Sequence, residues 1–84
     1  MRVIKLVIFG TPDCPGCKVA KEELANAEYI DCTLNNSTAN KFGIMSVPTI
    51  ILFDDNSYEV DRWVGWTSSI KSAIRKVMND EEHR

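Results

Sequence analysis

Seven residues near the start of the chain, Val3-Ile4-Lys5-Leu6-Val7-Ile8-Phe9, are apolar except for Lys5 and rich in β-branched side chains. A run of that kind suits a strand covered on both faces, because a strand with one solvated face would alternate polar and apolar residues. Thr49-Ile50-Ile51-Leu52-Phe53 repeats the signature. Two such strands in 84 residues leave material for one modest core, so residues 1–84 are expected to form a single domain with helices on both sides of a sheet.

Between and after these runs the hydrophobic period changes. Cys17, Ala20, Leu24 and Ala27 recur at helical spacing, which predicts a helix over 15–26. Residues 28–32 alternate as a short half-buried strand would. Asn35-Asn36-Ser37 supply capping side chains for a brief helix through Phe42, with Gly43 placed for a left-handed stop. Asp54-Asp55-Asn56-Ser57 is turn chemistry, so the strand over 49–53 and one over 58–64 are expected to form an antiparallel hairpin. Ile70, Ala73, Ile74, Val77 and Met78 then mark an amphipathic helix starting near Thr67 or Ser68, with fraying expected from Asn79. The order βαβαββα predicts an α/β fold with a central four-stranded mixed sheet flanked by three helices, the early crossovers making parallel neighbours and the hairpin an antiparallel one.

The chemistry is concentrated at Cys14-Pro15-Gly16-Cys17, where the first apolar run gives way to the first helix. A thiolate at a helix N-terminus faces unpaired backbone N–H groups and the positive end of the helix dipole, which favour the charged form. Cys14 is therefore the expected nucleophile. Cys17, one turn further in and on the apolar face, is the expected resolving thiol. Pro15 needs no N–H partner in a first turn, and Gly16 adds no bulk in front of an approaching disulfide. Lys18 adds a cation nearby and Asp13 an opposing anion, so both modulate the site.

A structural zinc site is the alternative use of a Cys-x-x-Cys pair. It needs two further ligands, and the candidates are Cys32 in a strand and His83 in the tail; no metal is expected. A purely structural disulfide is the other alternative. The formal charge of −2 and pI near 5.3 provide no basic face for nucleic acid. No long apolar segment predicts a membrane span. Three cysteines without an export pattern fit a cytoplasmic, monomeric protein with a reactive pair and one bystander thiol.

Three segments together resemble the thioredoxin superfamily over about residues 3–78: Phe9 to Lys18 around the dithiol, Thr38 to Thr49 ending in Val47-Pro48-Thr49, and Val64-Gly65-Trp66. The resemblance implies a cis Val47–Pro48 bond facing the dithiol, with Val47, Pro48 and Thr49 beside a substrate strand and Gly65 and Trp66 at the groove rim. Core packing is the competing use of Trp66, and Trp63 reads as structural. The implied activity is reduction of protein disulfides with no cofactor, electrons coming from a reductase or from glutathione. Some features depart from typical thioredoxins: Pro15-Gly16 is in the order closer to glutaredoxins, Asp13 replaces a Trp, and Ile8 stands where a buried aspartate usually accepts the resolving thiol's proton. The Gly-Gly-Asp pattern of glutaredoxins is replaced by Gly65-Trp66-Thr67-Ser68. Glutathione-dependent reduction is thus the rival activity, and a non-catalytic metal- or partner-binding module a third reading.

Overall fold

A computed structural model of the chain describes residues 3–82. Within them the elements run β1 (Val3–Gly10), α1 (Pro15–Glu23), β2 (Glu28–Asp31), α2 (Asn36–Lys41), β3 (Thr49–Asp54), β4 (Glu59–Val64) and α3 (Ser68–Glu82). The four strands form one mixed sheet in the order β2-β1-β3-β4. This is the expected element order and places the two apolar runs side by side in the centre, where every residue of β3 is buried.

One strand direction departs from the reading above. β1 and β2 are parallel, but β3 runs antiparallel to β1, Phe9 lying opposite Thr49 and Val3 opposite Asp54. The short α2 does not run back along the sheet, and β3 starts at the end where β2 finished. β3 and β4 form the expected hairpin.

Side chains leave β1 alternately to its two faces. Val7 and Phe9 join Ile51 and Phe53 in one core, against which Phe42, Ile30, Cys32 and Ile44 pack. Ile8 joins Ile50, Ala20 of α1 and Ile74 of α3 in the other, with Tyr29, Trp63 and Trp66 against it. Helices thus cover both faces.

The ends of elements differ in detail from the sequence reading. α1 stops at Glu23, and the backbone N–H of Leu24 bonds back to the carbonyl of Ala20. Asn35 stands at the N-cap of α2 without capping it through its side chain; its Nδ2 donates instead to the carbonyl of Asp31. Gly43 does adopt the left-handed conformation, with φ of 67°. At the far end, Asp54 Oδ1 accepts the backbone N–H groups of Asn56 and Tyr58, which shapes the hairpin turn. α3 continues to Glu82, beyond the fraying point expected at Asn79. No helix among the described residues is long and apolar enough to cross a membrane.

Candidate active site

The loop after β1 delivers Cys14 to the N-cap of α1, in extended backbone geometry, with Pro15 opening the helix. Cys14 and Cys17 are joined as a disulfide with their Cα atoms 5.1 Å apart. Cys14 Sγ also accepts the backbone N–H of Cys17 at 3.1 Å. This is one of the donors that a helix start leaves without an intrahelical partner, and it points at the sulfur that would carry charge. Burial separates the two cysteines: Cys14 is partly exposed, while Cys17 has none of its surface in contact with solvent.

The Val47–Pro48 peptide bond is cis. Pro48 faces the dithiol helix across Gly16: a Cβ built on Gly16 would lie 3.4 Å from Pro48 Cδ and 4.0 Å from Trp66 Cβ. The dithiol turn, Pro48 and Trp66 therefore meet at one place. A hydrogen bond of 2.7 Å from the Gly65 N–H to the Pro48 carbonyl holds the Gly65 turn against that loop, and Gly65 takes a φ of 84° there, which favours glycine. Trp66 packs on the Ile8 and Ile74 core, and its Cβ sits beside Gly16. Trp63 packs in the same core.

Thr49 follows Pro48 at the start of β3. It is buried, and its hydroxyl donates to the Ser46 carbonyl at 2.7 Å, so its side chain holds the loop from within. Val47 is half-buried; Asp13 and Lys18 are exposed on either side of the dithiol. Two apolar side chains not named as site residues from the sequence stand in solvent within or next to these segments: Met45, 96% exposed, and Val64, 61% exposed. Their signal was their position flanking Val47-Pro48 and Gly65, since an apolar residue on a loop or strand edge is unremarkable by type alone.

Cys32 lies one residue past β2 and packs against the Phe9 core, where burial and then the charge of Asp31 push its thiol up from its ordinary value. Among the described residues no group of three or more His, Cys, Asp or Glu could hold a metal ion, and His83 lies outside them. On the other flank of Cys17, the Tyr29 hydroxyl reaches the end of β1 and donates to the Thr11 carbonyl at 3.3 Å. Gly10 permits this approach: a Cβ there would lie 2.5 Å from Tyr29 Oη and 2.8 Å from Cys17 Sγ. Neither Gly10 nor Tyr29 was legible as part of the site, because only the parallel register of β1 and β2 brings them together.

A mixed sheet of this order with a Cys-x-x-Cys pair on the first helical turn and a cis-proline against it defines a dithiol–disulfide exchange protein. Comparison with known proteins narrows the class. The chain is 40% identical over 65 residues to a thioredoxin of Methanocaldococcus jannaschii, covering 66% of this chain and 76% of that one. It is 39% identical over 70 residues to a prophage-derived thioredoxin-like protein of Bacillus subtilis, covering 79% and 84%. Among solved structures, a thioredoxin from Halobacterium salinarum superposes with a TM-score of 0.79 at 23% identity, covering 90% of this chain and 72% of that one. Thioredoxin 1 of Thermosipho africanus gives 0.75 at 22% identity, with 94% and 99% covered; at these identities the structures speak to fold alone. No family model matches the chain. The chain belongs to the thioredoxin family. It is a protein-disulfide oxidoreductase with a redox-active Cys14–Cys17 disulfide, fitting the thioredoxin type better than the glutaredoxin type; its family implies disulfide substrates and a reductase partner.

Proposed function

We propose that Cys14 is the attacking thiol and Cys17 the resolving one, acting on protein disulfides that lie along Val47–Pro48. The observation that carries this reading is the hydrogen bond from the Cys17 N–H to Cys14 Sγ at the start of α1, because it stabilises negative charge on the more exposed sulfur and not on the buried one. Cys14 thiolate attacks one sulfur of the substrate disulfide, and the other substrate sulfur leaves with the bond's electron pair and takes a proton from solvent. Cys17 then attacks Cys14, the mixed disulfide breaks, and the second substrate sulfur leaves in the same way. The protein ends as the Cys14–Cys17 disulfide and a reductase returns two electrons. The Val47 backbone offers a strand edge to the substrate, Gly65 and Trp66 form the opposite rim, and Met45 and Val64 supply apolar contact to a partner chain. Asp13 and Lys18 bias which substrates approach, with opposite sign. The 84 residues work as one monomeric unit in the reducing cytoplasm, where such a dithiol can be recycled.

Reduction of insulin disulfides by dithiothreitol tests the reading. The protein is expected to accelerate it, and Cys14→Ser to return the rate to background. Equal acceleration by Cys14→Ser would exclude Cys14 as the nucleophile. Cys17→Ser is expected to trap a mixed disulfide and stop turnover with a glutathione mixed disulfide as well; sustained turnover there would instead favour a glutathione-dependent monothiol route.

A further inference from the structure

Cys17 must lose a proton before it can resolve a mixed disulfide, and Ile8 of β1, which packs with Ala20 of α1, is apolar and fully buried and offers no acceptor. The opposite flank of Cys17 is polar. A cleft of about 370 Å³ opens there between α1 and the ends of β1 and β2, bringing Thr11, Lys18, Lys21, Tyr29 and Asp31 beside Cys17. The Tyr29 hydroxyl lies close to the sulfur. Its Oη and Cys17 Sγ lie 2.5 Å and 2.8 Å from one point, the empty Cβ position of Gly10, so their separation cannot exceed those two distances together. The hydroxyl's acceptor in the oxidised protein is the Thr11 carbonyl at 3.3 Å, the long end of the range for an O–H donor. A thiolate within reach is the stronger acceptor, since bonds to ionised groups are about twice as strong as neutral ones.

We propose that Tyr29 Oη donates a hydrogen bond to the Cys17 thiolate as it forms, so that the resolving thiol ionises toward the cleft on the β2 side. This rests on the thiol–disulfide chemistry assigned above. The proton of Cys17 passes to water in the cleft. The thiolate, held by Tyr29 O–H, attacks Cys14 Sγ, and the bond between Cys14 and the substrate breaks with its electron pair on the substrate sulfur, which is protonated by solvent. The charged groups around the cleft divide by element. α1 contributes Lys18 and Lys21, the latter with Nζ 4.9 Å from the Tyr29 ring centroid, and both favour a thiolate. β2 contributes Asp31, and Cys32, the residue after β2, is close enough to act on the Tyr29 phenol. Thr33 donates its backbone N–H and its hydroxyl to Asp31 Oδ1 at 2.8 and 2.6 Å, which holds that carboxylate below its ordinary range and makes it a poor base. Burial and Asp31 push the Tyr29 phenol up, so it stays a donor at neutral pH.

Reaction of the reduced protein with 5,5′-dithiobis(2-nitrobenzoate) separates the two thiols: the first thionitrobenzoate leaves when Cys14 attacks and the second when Cys17 displaces the mixed disulfide. In Tyr29→Phe the first release is expected to be unchanged, while the second slows about tenfold at pH 7 and its pH midpoint rises by about one, the same factor expressed as an ionisation. Alkylation of Cys17 in Cys14→Ser, with and without Tyr29→Phe, should show the same rise in midpoint. Lys21→Met, which keeps the phenol, should slow only the second release, by about threefold. An unmoved midpoint in Tyr29→Phe, or a parallel slowing of both releases, would overturn the proposal while leaving the dithiol assignment intact. Absence of the first release in the unaltered protein would overturn the dithiol assignment itself.

Discussion

The two faces of β1 solve the same covering problem with different material. On the Val7 and Phe9 face only the six-residue α2 is available, and aromatic bulk replaces helix length: Phe42 meets Phe9 and Phe53 at centroid separations of 5.6 and 5.5 Å in tilted and edge-on geometry. On the Ile8 face two helices lie close, and the residues that let them do so are small: Gly10 of β1 beside Cys17, Ala20 of α1 within the Ile8 core, and Gly16 of α1 against Pro48 and Trp66. The first face is held by what fills it. The second is shaped by where side chains are missing, and the dithiol occupies that space. Stability and reactivity therefore rest on different residues of one strand, although Phe9 and Gly10 are neighbours in the chain.

That separation can be broken by experiment. Phe9→Ala removes a fully buried ring and is expected to cost about 3–5 kcal/mol, lowering Tm by about 15 °C or more in a domain of this size. Below the melt, the first thionitrobenzoate release should keep its rate; a change there would mean that the aromatic face also controls the dithiol. Gly10→Ala is expected to cost less, about 1–3 kcal/mol of overpacking, but to slow the second release, since its Cβ enters the space shared by Tyr29 Oη and Cys17 Sγ. Combining it with Tyr29→Phe removes the nearest clashing atom. The double variant should recover about 0.5 kcal/mol or more relative to the sum of the single losses, and strict additivity would show that the two groups do not share that space.

The hairpin turn lies outside both arrangements. Asp54→Ala strips one buried carboxylate oxygen from two backbone N–H groups and is expected to cost about 1–2 kcal/mol in a denaturant titration, with neither release altered. The smallest effect concerns Asp31. Its depressed carboxyl, held down first by the Thr33 hydroxyl and then by the Thr33 N–H, contributes stability that is present above the ordinary carboxylate range and lost as pH falls through the depressed value. Thr33→Val leaves the backbone bond and should move the Asp31 midpoint, read by carboxyl NMR, upward toward that ordinary range. An unmoved midpoint would assign the effect to the backbone bond alone.

The parts of the site legible from residue order were those whose chemistry is local. Cys14 at a helix start, Cys17 one turn inward and Pro15 in the first turn follow from spacing, because a helix N-terminus exposes the same donors wherever it occurs. Gly43 followed likewise from its place after a helix. The direction of β3 did not, because it depends on which end of the sheet the whole connection of residues 32–48 returns to. Thr49 illustrates a second limit: the hydrogen bond of its hydroxyl to the Ser46 carbonyl, three residues back, was not legible from its place beside Pro48.

Hydrophobic period and the four residues from Cys14 to Cys17 sufficed, without coordinates, for an α/β sheet with helices on both faces and a redox dithiol at a helix start, since each rests on interactions between residues a few positions apart. Only the folded chain brought Tyr29 to Cys17, Pro48 and Trp66 to Gly16, and the Gly65 N–H to the Pro48 carbonyl. Those contacts join residues 12 to 50 positions apart in the sequence, and strand register and helix length decide them where no local propensity can.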